Sequence, residues 1–553
     1  MKLFSKNKLI IFIIFIIAIL LRIYGLNWDD NNHLHPDERF LTMLTSSIKL
    51  PSSFFEYLST KNSPLNPYNY PQYQFFVYGT FPIFLVKYLA VFFNLDNYNQ
   101  ITLLGRVLSA LFDSGNVILL YFIAKKFLKS FYKFLPSFFY AFLVLPLQLS
   151  HFFAVDTFLT FFILLTFTLL TYDLFIPAFI FFGLALSCKV SALYFVPIIF
   201  LFLLKNKNLK SIVYFLISIL VFRIFQPYAF IHLFTPNPTF INSLKTLTAY
   251  SDPNIYYPPG VQWLNRPLIL DSLYYHLIWG LGLSFSLPFL YLIFRFLFKI
   301  KKLKLKFNLS FIISFWVIFL FIFQSLQSAH TMRYFLPIYP FICLLFAALL
   351  FKFKIKKSII IFILILNLIH SLAFLSIYSR PHSRIQASEW IRQNIPSDKV
   401  LSNEYWDDAL PLGYSDYPGE ILTLFDPDTD EKWEKINESL EKIDYLIMSS
   451  NRLWATIPRV PNKYPIASEF YKNLFSGKTN FLFKKQFVSY PGFPLFFLKS
   501  CFYFGPTNYP GLKTSWFSID KNCSYPGIYL RDDTAEEAFT VYDHPQVLIF
   551  QKK

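Results

Sequence analysis

Charge is scarce in this chain: 15% of its 553 residues are Asp, Glu, Lys or Arg, against 55% hydrophobic, which excludes an ordinary soluble protein throughout. Cysteine is scarcer still, with four residues, and no pair has the spacing of metal ligands, so a zinc-stapled module is excluded. The segments read as cytoplasmic lack both a Gly-rich phosphate loop and an Asp-x-Asp motif, which argues against a nucleotide-sugar donor. No internal repeat is visible, unlike transporters built from repeated halves. No small-residue cleavage site follows the first apolar run, so that run reads as a retained anchor rather than a signal peptide.

What is present is aromatic and basic. The 71 Phe and 36 Tyr come with heavy use of Ile and Lys, a compositional bias that by itself says nothing about ligands. The formal net charge of +18 does not point to nucleic acid, because the basic residues form no single patch. Lys2, Lys6 and Lys8, then Lys125, Lys126, Lys129 and Lys133, then Lys205, Lys207 and Lys210, each flank an apolar run, as do the groups 299–306 and 352–357. This is the pattern of cytoplasmic loops in a membrane protein.

A hydrocarbon core about 30 Å thick needs about 20 helical residues, so the runs can be counted and oriented. The first is 9–26, and it puts residue 27 onward outside. The run 75–93 would place Lys125 to Lys133 outside if it crossed, so it reads as an interfacial helix. Further spans are expected near 101–124, 134–150, 158–175, 176–187, 192–204, 212–225, 273–296, 311–324, 335–351 and 359–377. The total is about eleven, with the N-terminus inside and the C-terminus outside.

From about Arg380 the composition turns polar, which marks a boundary between a membrane domain, 1–379, and an extracytoplasmic soluble domain, 380–553. Expected helices at 383–393 and 431–441 alternate with β-type runs at 445–448 and 547–550, an α/β pattern. Cys501 and Cys523 fall in this outside region, where either a disulfide or two free thiols fits.

Ionisable groups at membrane depth are functional candidates by default. His35-Pro36-Asp37-Glu38-Arg39 sets two carboxylates at a helix start just after the first span, where they can also act simply as caps. His151-Phe-Phe-Ala-Val-Asp156 supplies a third carboxylate at the head of the span 158–175. Arg106, Lys189 and Arg333 lie at the same face, and each alone can be read as a snorkelling cation. Together, three carboxylates and three cations describe a site for an anionic lipid head group, with Arg as a planar fork for phosphate and Lys as a point charge. Gln262 and Trp263, with Arg266, sit in a Pro-rich loop that either shapes a sugar pocket or is scaffolding.

These motifs, with Gly105-Arg106-Val107-Leu108-Ser109-Ala110, Ala154-Val155-Asp156 and Arg333-Tyr334-Phe335-Leu336-Pro337, resemble those of the GT-C glycosyltransferases. The likeness is to the dolichyl-phosphate-mannose protein O-mannosyltransferases and the lipid A aminoarabinose transferase, phospholipid-carrier-dependent enzymes. The resemblance implies a GT-C-type all-α membrane bundle. Its activity would be inverting transfer of a sugar, of hexosyl or mannosyl type, from a polyprenyl-phosphate donor to an acceptor hydroxyl.

It implies Asp37 as the base, with Glu38 and Asp156 as catalytic partners and Arg106, Lys189 and Arg333 on the donor phosphate. Substrate contacts are expected from His35, Arg39, His151, Gln262, Trp263 and Tyr334. Adjacent like charges on Asp37 and Glu38 are expected to raise the apparent pKa of the pair. No cofactor is expected: a divalent cation near Asp37, Glu38, His35 or His151 fits no standard spacing. The acceptor, whether protein, lipid or glycan, is left open. The rival reading is a transporter or flippase for a polyprenyl-linked sugar.

Overall fold

A computed structural model of the chain describes residues 6–205, 211–250, 252, 255–299, 308–413 and 416–553. Of the expected inner-face cations, Lys2, Lys207, Lys210, Lys301, Lys302, Lys304 and Lys306 lie outside the described residues, as do 251, 253 and 254 of the Pro-rich loop. The chain divides into two compact units: one of Met1–Leu26, Asp37–Ala249 and Ser272–Ser371, the other of Asn27–Pro36, Tyr250–Asp271 and Leu372–Lys553.

The first unit is helical. Among the described residues, three segments are long and apolar enough to cross a membrane by length and composition: Tyr98–Ala124, Met332–Lys352 and Lys357–Asn394. A bent pair, Ser130–Ala141 and Val144–Ser150, makes a fourth if its 55° bend lies within one span. Six more are shorter apolar helices of 10–17 residues, Thr80–Phe92, Val155–Thr171, Phe175–Cys188, Val190–Lys205, Ser211–Phe225 and Leu309–Ser325, so many of the expected spans appear as short or interrupted pieces.

Proline and glycine account for much of the interruption. The run 335–351 opens as a 3-10 turn, Met332–Ile338, carrying Pro337, before the helix Tyr339–Lys352. The run 273–296 breaks at a π turn, His276–Gly280, and at Gly282, whose φ of +80° suits glycine alone. The first helix, Lys6–Ile23, is 18 residues long and ends in the positively twisted Gly25, φ 66°.

Aromatic rings fill the interior of this unit. Phe112 meets Phe158 at 4.6 Å, Phe139 meets Phe346 at 4.7 Å and Phe167 meets Phe341 at 4.8 Å between centroids. Within it Arg22 and Asp113, both fully buried, pair at 2.6 Å, and the Tyr140 hydroxyl donates to Asp113 at 2.5 Å. Both of these charges, removed from water, are thus matched by a partner.

The second unit is α/β. Its strands are β1 Leu401–Glu404, β2 Gly419–Leu422, β3 Tyr445–Met448, β4 Phe481–Phe487, β5 Gly492–Pro494, β6 Cys501–Phe504, β7 Phe517–Asp520, β8 Gly527–Leu530 and β9 Val547–Lys552. A five-stranded sheet has the order β2-β1-β3-β9-β4, parallel through β3 and antiparallel beyond, and a four-stranded sheet has the order β5-β8-β6-β7. The helices Ser383–Asn394 and Asp430–Lys442 fall where the sequence puts them, the second capped by the Thr429 hydroxyl and led by Asp430 and Glu431. Cys501 and Cys523 form a disulfide.

The boundary differs from the expected division at 379/380. The loops 27–36 and 250–271 belong to the second unit because their side chains are committed there. Trp28 packs on His382 at 5.6 Å, His35 stacks on Tyr542 at 4.1 Å, and Arg266 pairs with Glu537 at 2.6 Å.

Candidate active site

The helix Pro36–Ser47 begins with Pro36 and carries Asp37 and Glu38 in its first turn, so both carboxylates sit at the positive end of the helix dipole. Their fates then separate. Asp37 accepts from Nη1 of Arg333, and side-chain exposures of 30% and 24% keep that pair within reach of solvent and ligand. Glu38 is fully buried, as is Arg106. Arg106 donates from Nε to both Glu38 oxygens at 3.1 and 3.0 Å, from Nη2 to Oε1 at 2.5 Å, and from Nη1 to the Leu26 carbonyl at 2.6 Å.

Arg106 and Glu38, expected on the donor phosphate and beside the base, are paired with each other in the fold. Both charges are closed off from solvent, and the guanidinium compensates the carboxylate while also holding the Leu26 carbonyl. The lock extends to the turn before the next carboxylate, where the Phe153 amide donates to Glu38 at 2.7 Å. Gly105 permits this: a Cβ there would fall 2.3 Å from the Phe153 ring.

Three residues beyond Phe153, Asp156 lies in the first turn of the helix Val155–Thr171 and pairs with Lys189 at 2.8 Å. Lys189 follows the helix Phe175–Cys188, and its Nζ also stands 4.4 Å from the centre of the Tyr334 ring. The Arg333 guanidinium lies 5.5 Å from that same ring. Tyr334 thus sits between two ion pairs, Asp37–Arg333 and Asp156–Lys189, with a π face toward both cations.

Tyr78 completes the cluster. It is half-buried, and burial pushes its phenol well above the ordinary value, with Asp37, Tyr334 and Asp156 adding to the rise and Arg333 opposing it. The phenol stays protonated as a hydrogen-bond donor. Its position follows from Gly79, whose amide donates to the Cys188 carbonyl at 3.0 Å and where a Cβ would come 2.0 Å from the Ser187 carbonyl. Only glycine lets that backbone approach the turn that bears Lys189.

The other expected contact residues have partners of their own. His151 is fully buried, with Nδ1 2.7 Å from the Leu147 carbonyl and Nε2 2.8 Å from the Tyr24 carbonyl, so both ring nitrogens serve the fold. Arg39 lies in the field of Tyr98. His35, Gln262 and Trp263 belong to the second unit. There Gln262 donates to the Pro259 carbonyl at 2.9 Å, and the Trp263 indole donates to Glu536 at 3.2 Å. The Pro-rich loop is thereby braced within that unit. Among the described residues, no group of three or more His, Cys, Asp or Glu gathers to hold a metal ion.

No protein-family model matches this chain, and no curated protein matches it. Among solved structures it is similar to the Archaeoglobus fulgidus oligosaccharyltransferase complex with zinc and sulfate, at 16% identity, 86% of this chain, 72% of that one and a TM-score of 0.46. It is also similar to the A. fulgidus oligosaccharyltransferase AglB with an inhibitory peptide and a dolichol-phosphate, at 13% identity, 86% and 73% coverage and a TM-score of 0.47. ArnT from Cupriavidus metallidurans in the apo state is a third, at 12% identity, 80% and 93% coverage and a TM-score of 0.48. At such identities and TM-scores the chemistry of this chain rests on its own side chains.

Proposed function

We propose that the first unit transfers a sugar, of hexosyl type, from a polyprenyl-phosphate carrier to an acceptor hydroxyl at the outer face of the cytoplasmic membrane, with inversion at the anomeric carbon. The observation that carries this reading is the pair of ion pairs flanking Tyr334: two carboxylates held by the very cations that a phosphate would attract.

The donor's phosphodiester, a monoanion, competes for both cations when brought between Arg333 and Lys189 and gains charge-assisted hydrogen bonds from each, and its second negative charge develops only as the bond to the anomeric carbon breaks. As Arg333 turns to phosphate, Asp37 is released to accept the proton of the acceptor hydroxyl. The acceptor oxygen then bonds to the anomeric carbon from the face opposite the phosphate, the carbon–oxygen bond to phosphate breaks, and polyprenyl phosphate leaves with the bonding electrons. Asp156, released in the same way by Lys189, orients the acceptor. The neutral Tyr78 phenol donates to the phosphate or to a sugar hydroxyl. Each step draws on this chain's own groups.

Membrane placement belongs to the same proposal: about eleven crossings, short ones included, with the second unit outside the cytoplasm. The Cys501–Cys523 disulfide supports that side, since such bonds persist in oxidising compartments. Isoprenoid carbons, each worth about 0.8 kcal/mol in the bilayer, keep the donor beside the site.

Mass spectrometry of products after incubation with a panel of polyprenyl-phosphate sugars tests the reading. Asp37→Asn is expected to lose about 10²–10⁴-fold in transfer, the usual contribution of a positioned base, while inserting in membranes normally. Undiminished transfer by that variant would remove Asp37 as the base. Movement of labelled carrier between leaflets with no sugar transferred would favour the transporter reading.

A further inference from the structure

The second unit carries a separate cluster that sugar transfer by the first does not use. Its parallel strands run β2-β1-β3, so the chain leaves β1 to one side and returns through the helix Asp430–Lys442 to the other. The carboxyl ends of β1 and β3 flank a topological switch point, where ligands of open α/β sheets bind.

Beside that point, the carboxyl ends of β1 and of its other neighbour, β2, carry a cluster of aromatic rings and carboxylates. After β1 come Tyr405, 48% exposed, and the half-buried Trp406, their rings 5.4 Å apart. After β2 comes Asp426, which accepts from the hydroxyl of Tyr256 at 2.5 Å, and Tyr256 is itself 53% exposed. Trp406 has φ 75°, a left-handed conformation that a bulky residue adopts only when its surroundings impose it.

The surroundings do so from both sides. The Trp406 carbonyl accepts from Nη1 of Arg452, beyond β3, at 3.0 Å. The next residue, Asp407, is buried and accepts from Nη2 of Arg384 at 3.1 Å and from the hydroxyls of Ser449 at 3.1 Å and Ser450 at 2.5 Å. Three elements thus hold one turn that presents the Tyr405 ring outward and packs Trp406 partly against the core beneath it.

We propose that Tyr256, Tyr405 and Trp406, flanked by the carboxylates of Asp408 and Asp426, form a binding subsite for a neutral oligosaccharide. Pyranose rings offer C–H faces that pack on aromatic rings and a rim of hydroxyls that donate to carboxylates. Arg384 lies 3.7 Å from Asp408 and Lys432 in the field of Asp426, but each is already paired, with Asp407 at 3.1 Å and Asp428 at 2.6 Å, so Asp408 and Asp426 remain acceptors suited to hydroxyl donors and repel an anionic ligand. The subsite goes beyond the sugar-transfer reading and stands independently of it.

The test is titration of maltotriose, mannotriose, chitotriose and xylotriose into the full chain in nanodiscs, read by calorimetry and by tryptophan fluorescence. At least one trisaccharide is expected to bind, and Tyr256→Ala and Tyr405→Ala, both at exposed rings, are each expected to weaken it about tenfold, equivalent to about 1.4 kcal/mol. Trp406→Phe keeps an aromatic face and is expected to bind while losing the fluorescence response. Asp37→Asn is expected to bind like the wild type, so failure of the catalytic reading leaves this result standing. Absence of binding by all four sugars, binding unchanged in the tyrosine variants, or capture of a Ser/Thr-containing peptide at these residues in place of sugar would overturn the proposal.

Discussion

The ammonium of Lys189 stands 4.4 Å from the centre of the Tyr334 ring while donating to Asp156 at 2.8 Å. A cation held between a π face and a carboxylate is positioned without being consumed, since either partner can be exchanged for a phosphate oxygen. Lys189→Met is therefore expected to raise the KM for the polyprenyl-phosphate donor and to lower kcat/KM by about 10–100-fold, the worth of one charge-assisted contact. Steady-state kinetics with varied donor checks this; an unchanged donor KM would take Lys189 off the phosphate.

Arg106 and Glu38 behave differently because both are sealed. Removing either partner strands a buried charge, a loss of about 3–5 kcal/mol in comparable pairs. Arg106→Met and Glu38→Gln are expected to lower the thermal midpoint sharply in detergent, whereas the folded fraction keeps its donor KM. The double variant Glu38→Met/Arg106→Met is expected to recover part of the stability. A rise in donor KM without loss of stability would return Arg106 to the phosphate site.

The second unit should lose stability as pH rises. Burial lifts Glu404 to about 8 and Asp533 to about 7. Burial opposes charge on His544, but Asp543 and Asp532, at 2.5 and 2.8 Å, overcome it and raise the imidazole to about 10. All three groups hold their protons more tightly folded than unfolded. Folding takes up protons in the window between each pair of values, and unfolding becomes easier as pH climbs through it. Denaturation of the full chain followed by probes in this unit is expected to ease steadily from about pH 6.5 to about pH 10, the window of His544. His544→Gln should flatten that slope, and an unchanged slope would contradict the assignment.

The Cys501–Cys523 bridge spans 22 positions, for which chain-entropy reasoning gives about 3 kcal/mol. Cys501→Ser with Cys523→Ser is expected to shift the unfolding midpoint of this unit downward by a corresponding amount. Reducing agent should reproduce the shift in the wild type and leave the double variant unmoved.

Much of the site was legible because charge at the edge of an apolar run stands out: Asp37, Asp156, Lys189 and Arg333 are singular features in a hydrophobic text. Arg106 looked the same by that criterion. Its commitment to Glu38 and the Leu26 carbonyl depends on tertiary pairing that residue type does not encode. Tyr78 stays hidden for the opposite reason, as one of 36 tyrosines; the only clue is Gly79 beside it, in a chain with 15 glycines. Periodic apolar runs marked where helices lie but not where Pro337 or Gly282 would interrupt them. The loops 27–36 and 250–271 read as adjuncts of the membrane domain because their partners, such as Tyr542 and Glu537, lie hundreds of residues downstream.

That interleaving bears on biogenesis. During synthesis, Trp28, His35 and Arg266 emerge long before His382, Tyr542 and Glu537 exist to receive them. Two stretches of the nascent chain must wait without their native neighbours while the helices around them insert. A later-made portion of the polypeptide therefore completes loops made before it, and a ribosome stalled before residue 537 would leave Arg266 without its Glu537 counter-ion.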